Sequence, residues 1–315
     1  MRPFRFAVQA TAATSAKEWR DLARRVEALG YSTLFLADHY LGPGPAGASS
    51  LMEPQHLAPI AAMAAAAAWT TTLRVGCRVF CVEYHVPAVL AKEAATIDLL
   101  SDGRLEFGIG AGWHGDEFRA MGLTFDEASR RVSKLEEVVA MVRAHFSGEQ
   151  MEIHGDYVHV AGYAGLPAPV QQPCPPIMIG GSRKRVLRFA GREADIVSIS
   201  TVPWADPEPH AEAVRRLGYV REGAGERFDR LDIESSPTCL EITEEVDATL
   251  RRVAPTLRNA DPEILRTHPN VLVGPVESIV DRLEENRALL GVNYVTVPQG
   301  AIDDFAPVVS RLAGT

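Results

Sequence analysis

Four stretches of this sequence place chemically capable residues where an apolar run gives way to a loop. The first is Leu36-Ala37-Asp38-His39-Tyr40. A carboxylate beside an imidazole suits acid/base work, because imidazole titrates near neutral pH. The competing reading has Asp38 capping the following loop and His39 satisfying a backbone carbonyl. The second stretch is Phe107-Gly108-Ile109-Gly110-Ala111-Gly112-Trp113-His114. Alternate glycines admit either a planar ligand or another backbone at close range. A dinucleotide fingerprint is excluded, since it needs glycine where Trp113 stands.

The third stretch, Gly180-Gly181-Ser182, precedes a predicted helix whose first turn carries Arg183, Lys184 and Arg185. Free amides, the positive end of a helix dipole and cations together suit a phosphate. An ordinary N-cap by Ser182 is the alternative. The fourth is Gly76-Cys77-Arg78-Val79-Phe80-Cys81. Its two thiols match no zinc spacing and read as small core residues. The remaining histidines, among them His85 and His268, fit no metal pattern either, so no metal is expected. Neither a nucleophile elbow nor a Walker loop occurs.

These stretches need elements to hold them, and the chain supplies an alternation of strands and helices. Strands are predicted at 5–9, 33–37, 73–81, 104–109, 177–179, 195–200, 232–242 and 294–297. Helices are predicted at 15–29, 54–69, 87–100, 125–145, 183–191, 207–217 and 276–290. The strands are almost continuously apolar, as expected where helices cover both faces of a parallel sheet. Eight strands in two blocks of four predict a (β/α)8 TIM-type barrel over residues 1–315 as one domain. Extra material is expected around 146–176, including a hairpin at 150–160, and around 243–274. A doubly wound sheet is the alternative. In a barrel, catalytic groups come from the C-terminal strand ends, where all four stretches lie.

Composition narrows the function class. Lys and Arg number 32 against 41 Asp and Glu, a net charge of −9 over 315 residues. An acidic chain without a basic stripe speaks against nucleic acid. No apolar run reaches the roughly 18 residues that span a bilayer, so no membrane partner is expected. Four cysteines in so long a chain form no disulfide framework, and the start has no signal-peptide pattern. A cytoplasmic enzyme with a small-molecule substrate is the expectation.

Longer motifs carry a resemblance. Ala28-Leu29-Gly30-Tyr31, Ala37-Asp38-His39, the block from Ala94 through Asp98, Asp102 and Gly103 to Trp113, and Pro176-Ile177-Met178-Ile179-Gly180-Gly181-Ser182 resemble the luciferase-like monooxygenase superfamily. The likeness is strongest to its coenzyme F420-dependent oxidoreductases. It implies a (β/α)8 barrel with a flavin-type ring at its C-terminal mouth. Asp38 and His39 would lie beside the ring, Gly108, Gly110, Ala111 and Gly112 beneath it, and Gly180, Gly181 and Ser182 around its phosphate. It further implies a non-prolyl cis peptide near Arg78-Val79 that backs the ring, so that both residues would contact the cofactor, and a homodimer. The implied reaction passes hydride between the deazaflavin C5 and a small organic substrate, with His39 moving the proton and Asp38 orienting it. FMN with oxygen is the alternative cofactor chemistry, and cofactor binding without turnover the alternative class. Trp113 replaces the glutamate that follows the glycine run in the sugar-phosphate dehydrogenase branch. Gly42-Pro43-Gly44 replaces that branch's loop aromatic, so glucose-6-phosphate is not the expected substrate.

Overall fold

The computed structural model describes residues 2–42, 54–204 and 206–315. The first half runs β1 (Arg5–Gln9), α1 (Ala16–Ala28), β2 (Thr33–Leu36), α2 (Pro59–Trp69), β3 (Arg74–Cys77), β4 (Phe80–Cys81), α3 (Pro87–Leu100), β5 (Leu105–Gly110), α4 (Gly115–Ala120) and α5 (Ala128–Ser147). A hairpin of β6 (Gln150–His154) and β7 (His159–Ala164) follows, then β8 (Ile177–Gly181), α6 (Lys184–Glu193), β9 (Ile196–Ile199) and α7 (Pro209–Ala224). The remainder is β10 (Asp232–Ser235), β11 (Cys239–Ile242), α8 (Val246–Val253), α9 (Pro262–Thr267), β12 (Val271–Gly274), α10 (Val276–Leu290), β13 (Val292–Pro298) and α11 (Ile302–Leu312). No helix among the described residues is long and apolar enough to cross a membrane.

Local chemistry explains many of the boundaries. Pro59 and Pro87 open α2 and α3 at positions whose amides have no helical partner. Gly148 and Gly291 end α5 and α10 in the left-handed region, where a glycine pays no steric penalty. The long strand expected over 73–81 is two, β3 and β4, separated at Arg78-Val79. That expected over 232–242 is also two. Ser235-Ser236-Pro237 interrupts it, because proline cannot donate to a ladder. Helices α4 and α11 stand where none was read.

The strands hydrogen-bond in the order β3-β2-β1-β13-β10-β9-β8-β5-β4, and β3 also pairs with β5, which closes the ladder. The pairings resolved in register are parallel. With β3 and β4 sharing one position, this is the eight-stranded (β/α)8 barrel. The hairpin at 150–164 is antiparallel. Strands β11 and β12 form a separate parallel pair, so the second insertion begins with β11.

The chain forms two compact units: Met1–Val8, Ala28–Ser32 and Gly180–Thr315 in one, Gln9–Glu27 and Thr33–Ile179 in the other. In the latter unit Phe35, Phe80, Phe107, Phe118 and Phe146 are fully buried. The ring centroids of Phe80 and Phe107 lie 5.8 Å apart, and those of Phe107 and Phe146 5.9 Å. Arg104 donates to the carbonyls of Leu73 at 2.6 Å, Ser101 at 2.7 Å and Ala67 at 2.8 Å. Those bonds satisfy helix-end and loop acceptors that would otherwise be stranded. In the other unit, α8, α9, β11 and β12 pack around Cys239, Leu250, Leu257, Leu265 and Val271, a small core of their own.

Candidate functional site

Strand β2 ends at Leu36, and the next residues turn two side chains into one polar cluster. Asp38 is 2% exposed. Its Oδ2 accepts from the Cys81 amide at 2.8 Å and lies 2.8 Å from His85 Nε2. Its Oδ1 is buried and has no hydrogen bond among the described residues. The Tyr40 phenol is near enough to feel the carboxylate, and burial followed by that charge pushes it above the ordinary tyrosine range. A buried carboxylate oxygen without a donor is costly, so this atom calls for one.

His39 takes a different partner. Its Nδ1 lies 2.6 Å from Oε2 of Glu117 on α4, and Oε1 of the same carboxylate accepts from the Tyr40 amide at 2.7 Å. Burial alone would raise the Glu117 carboxyl. Hydrogen bonds from His39, the Tyr40 amide and Tyr84 outweigh it and hold the group below its usual value. The Trp113 ring meets His39 edge-on at 5.9 Å, and that indole is 58% exposed. Asp38 and His39 therefore belong to two carboxylate–imidazole pairs rather than to one. The sequence reading missed Glu117 and His85. A signal existed for Glu117, since His114 and Glu117 are three residues apart on one helical face, but no helix had been read there. His85 follows the end of β4 by four residues, which in a barrel is a catalytic address.

The glycine run has a packing role. A Cβ on Gly108 would stand 2.0 Å from the Cys77 carbonyl oxygen and 3.0 Å from Val79 Cγ1. Gly112 has φ +74°, and a Cβ there would meet Cys81 Sγ at 2.7 Å and Phe118 Cζ at 2.8 Å. Ala111 gives its carbonyl to Arg131 Nε at 3.2 Å. Gly110 pairs with Cys81 in the β4–β5 ladder. Of the two readings of this run, close approach by protein accounts for the missing side chains at 108 and 112. The Arg78-Val79 peptide is cis, at the position expected, and Arg78 donates to Gln9 Oε1 at 2.9 Å. Burial, then Asp38, pushes the Cys77 thiol up, and burial takes Cys81 to about 12. Both thiols behave as core residues. Among the described residues no group of three side chains could hold a metal.

Strand β8 leads through Ser182 into α6. The N-cap is Arg183 rather than Ser182, without a side-chain cap bond, so the capping alternative for Ser182 does not hold. Gly181 is small because Val186 Cγ1 would lie 2.4 Å from its Cβ. Lys184 turns its ammonium over Tyr219, 5.4 Å from the ring centroid. Pro43 and Gly44, in the loop after Asp38-His39, lie outside the described residues.

The sequence profile of the luciferase-like monooxygenases matches residues 1–270. The chain belongs to that family. Among its relatives, an FMNH(2)-dependent dimethylsulfone monooxygenase of Pseudomonas putida is 34% identical over 109 residues, 35% of this chain and 30% of that protein. An uncharacterised protein of Mycobacterium tuberculosis is 28% identical over 214 residues, 65% of this chain and 71% of its own length. Among solved structures, a coenzyme F420-dependent tetrahydromethanopterin reductase from Methanopyrus kandleri superposes with a TM-score of 0.77 at 18% identity. That match covers 98% of this chain and 99% of the reductase. The luciferase-like assignment thus agrees with the barrel read from the strand order. Its members are oxidoreductases and monooxygenases.

Proposed function

We propose that the chain is a two-electron oxidoreductase that uses coenzyme F420 on a small organic substrate. The observation that carries this reading is the cluster at the end of β2. There a partly exposed imidazole, His39, is held by a buried carboxylate, beside a second carboxylate oxygen, Asp38 Oδ1, that lacks a donor. A flavin or deazaflavin carries a ring N–H, which is the kind of group that oxygen requires, so the residues present fit such a cofactor. When bound, the cofactor would supply or accept the hydride. His39 would give or take the accompanying proton, and Asp38 would hold the ring while keeping His85 in place. A phosphate is proposed at the Gly180-Gly181-Ser182 turn, whose small residues and following helix amides suit an anion. A homodimer is proposed on the resemblance alone, and sedimentation equilibrium tests it.

A second reading, FMN with oxygen, is favoured by the cofactor dependence of the dimethylsulfone monooxygenase. Titration of the purified protein with coenzyme F420 and with FMN, side by side, separates the two. Tighter binding of F420, with its reduction or oxidation by some member of a substrate panel, supports the proposal. Tighter FMN binding with NAD(P)H-driven oxygen uptake moves the chain to the second reading. F420 binding without turnover would make it a carrier, and failure to bind either cofactor refutes both readings.

A further inference from the structure

The two carboxylate–imidazole pairs are wired in opposite senses, and this bears on the proton-transfer role just proposed for His39, on which the inference rests. Glu117 is fully buried, and both its oxygens are committed, Oε2 to His39 Nδ1 at 2.6 Å and Oε1 to the Tyr40 amide at 2.7 Å. His114 Nδ1 stands 3.8 Å from the same Oε2, beyond a hydrogen bond. With its carboxyl held below the usual value, Glu117 is ionised at neutral pH and can only accept. The proton on that contact therefore resides on His39 Nδ1. At the other pair the contact is made by the opposite ring nitrogen, His85 Nε2, 2.8 Å from Asp38 Oδ2. That oxygen already accepts from the Cys81 amide, so Nε2 of His85 is the donor.

We propose that Glu117 is a positioning residue that locks His39 in its Nδ1–H tautomer and leaves Nε2 as the atom that exchanges the proton. The contact to Glu117 is made by Nδ1, and the His39 side chain is 19% exposed, against 1% for Glu117. The neutral ring of free histidine favours the Nε2–H form, which would present a donor where a base is needed. Glu117 reverses that preference. When the Nε2 lone pair takes a proton, the ring becomes imidazolium and the carboxylate at Nδ1 balances its charge. Release of the same proton restores the neutral ring. This is the role a buried carboxylate plays behind a catalytic histidine generally. His85, fixed in the other tautomer, keeps Nε2 for Asp38 and cannot substitute.

The test uses the full chain with 15N-labelled histidine, free of cofactor, with spectra taken at rising pH until each ring gives its neutral form. Long-range 1H–15N correlation spectra read which ring nitrogen carries the proton, with His39→Gln and His85→Gln assigning the signals. The expected result is Nδ1–H for His39 and Nε2–H for His85. Glu117→Gln, whose amide can present either a donor or an acceptor, should return His39 toward Nε2–H, and Glu117→Asp should retain part of the wild-type pattern. With the cofactor that the titration identifies, Glu117→Gln should lower kcat about a hundredfold with little change in KM. An Nε2–H tautomer for His39 in the wild-type protein overturns the inference, as does an unchanged pattern in Glu117→Gln. If the tautomers are as expected but neither cofactor binds, the proposed function falls and the pairing stands. If turnover is found with the tautomer reversed, the inference alone falls.

Discussion

Replacing Gly108 by alanine asks whether the glycine run of β5 was kept small for the protein's own backbone or for a ligand. The added methyl would sit 2.0 Å from the Cys77 carbonyl oxygen and 3.0 Å from Val79 Cγ1. Neither neighbour can rotate away easily, because Cys77 is in β3 and paired to Leu36. Relief requires moving β3 and β5 apart by more than about 1 Å, given ordinary contacts near 3.3 Å. That movement strains a ladder that includes Val75 N to Arg104 O at 3.0 Å. Overpacking of a core costs about 1–3 kcal/mol, and a clash with backbone belongs at the upper end, about 3 kcal/mol. At about 2.1 cal/mol/K per residue, the 315 residues give an unfolding entropy of about 0.66 kcal/mol/K, so the melting temperature should fall by about 4–5 °C. Gly218→Ala is the control. Gly218 lies within α7 with nothing within 4 Å of its Cβ position, and the helix gains about 0.5–1 kcal/mol, raising the melting temperature by about 1 °C. Thermal melts and cofactor titrations on both variants decide the matter. Unaltered stability with lost cofactor binding in Gly108→Ala would refute the packing argument and hand the glycine to the ligand.

Two other measurements follow from single side chains. His39→Ala should retain cofactor binding but lose turnover by about a hundredfold or more; unchanged turnover would remove His39 from the mechanism. His268 is fully buried, and burial lowers it to about 4 from the usual 6.5. Between those values the unfolded chain binds the proton that the folded one refuses, so stability falls as pH drops from about 6.5 toward 4, by at most about 3 kcal/mol. Urea unfolding at a series of pH values should show this slope in the wild-type protein and a shallower one in His268→Gln. Parallel curves for the two would refute the assignment.

Much of the architecture was legible because its causes are local. Apolar runs alternating with helical periods, glycines after helices and prolines before them act over a few residues, and they predicted the order of the eight barrel positions. Of the two missed helices, Gly115–Ala120 has six residues, too few for a period to show. The break at Ser235-Ser236-Pro237 was readable and was passed over, because apolar residues on both sides suggested one strand. Asp38 and His39 could be picked out because they stand next to each other at a strand end.

Their partners could not be picked out that way. Glu117 meets His39 across 78 positions of sequence, and His85 meets Asp38 across 47. Nothing near either acid or either imidazole in the chain encodes that choice. Strand register and the packing of α4 decide which nitrogen reaches which oxygen, because a shift of a few ångströms makes or breaks a hydrogen bond. The same holds for Gly108, whose lack of a side chain is set by a carbonyl thirty-one residues upstream. Sequence alone favoured the barrel over a doubly wound sheet and picked out the strand ends that carry polar residues. Only the folded chain decided how they pair, since hydrogen bonds form between neighbours in space and the sequence orders neighbours along a line.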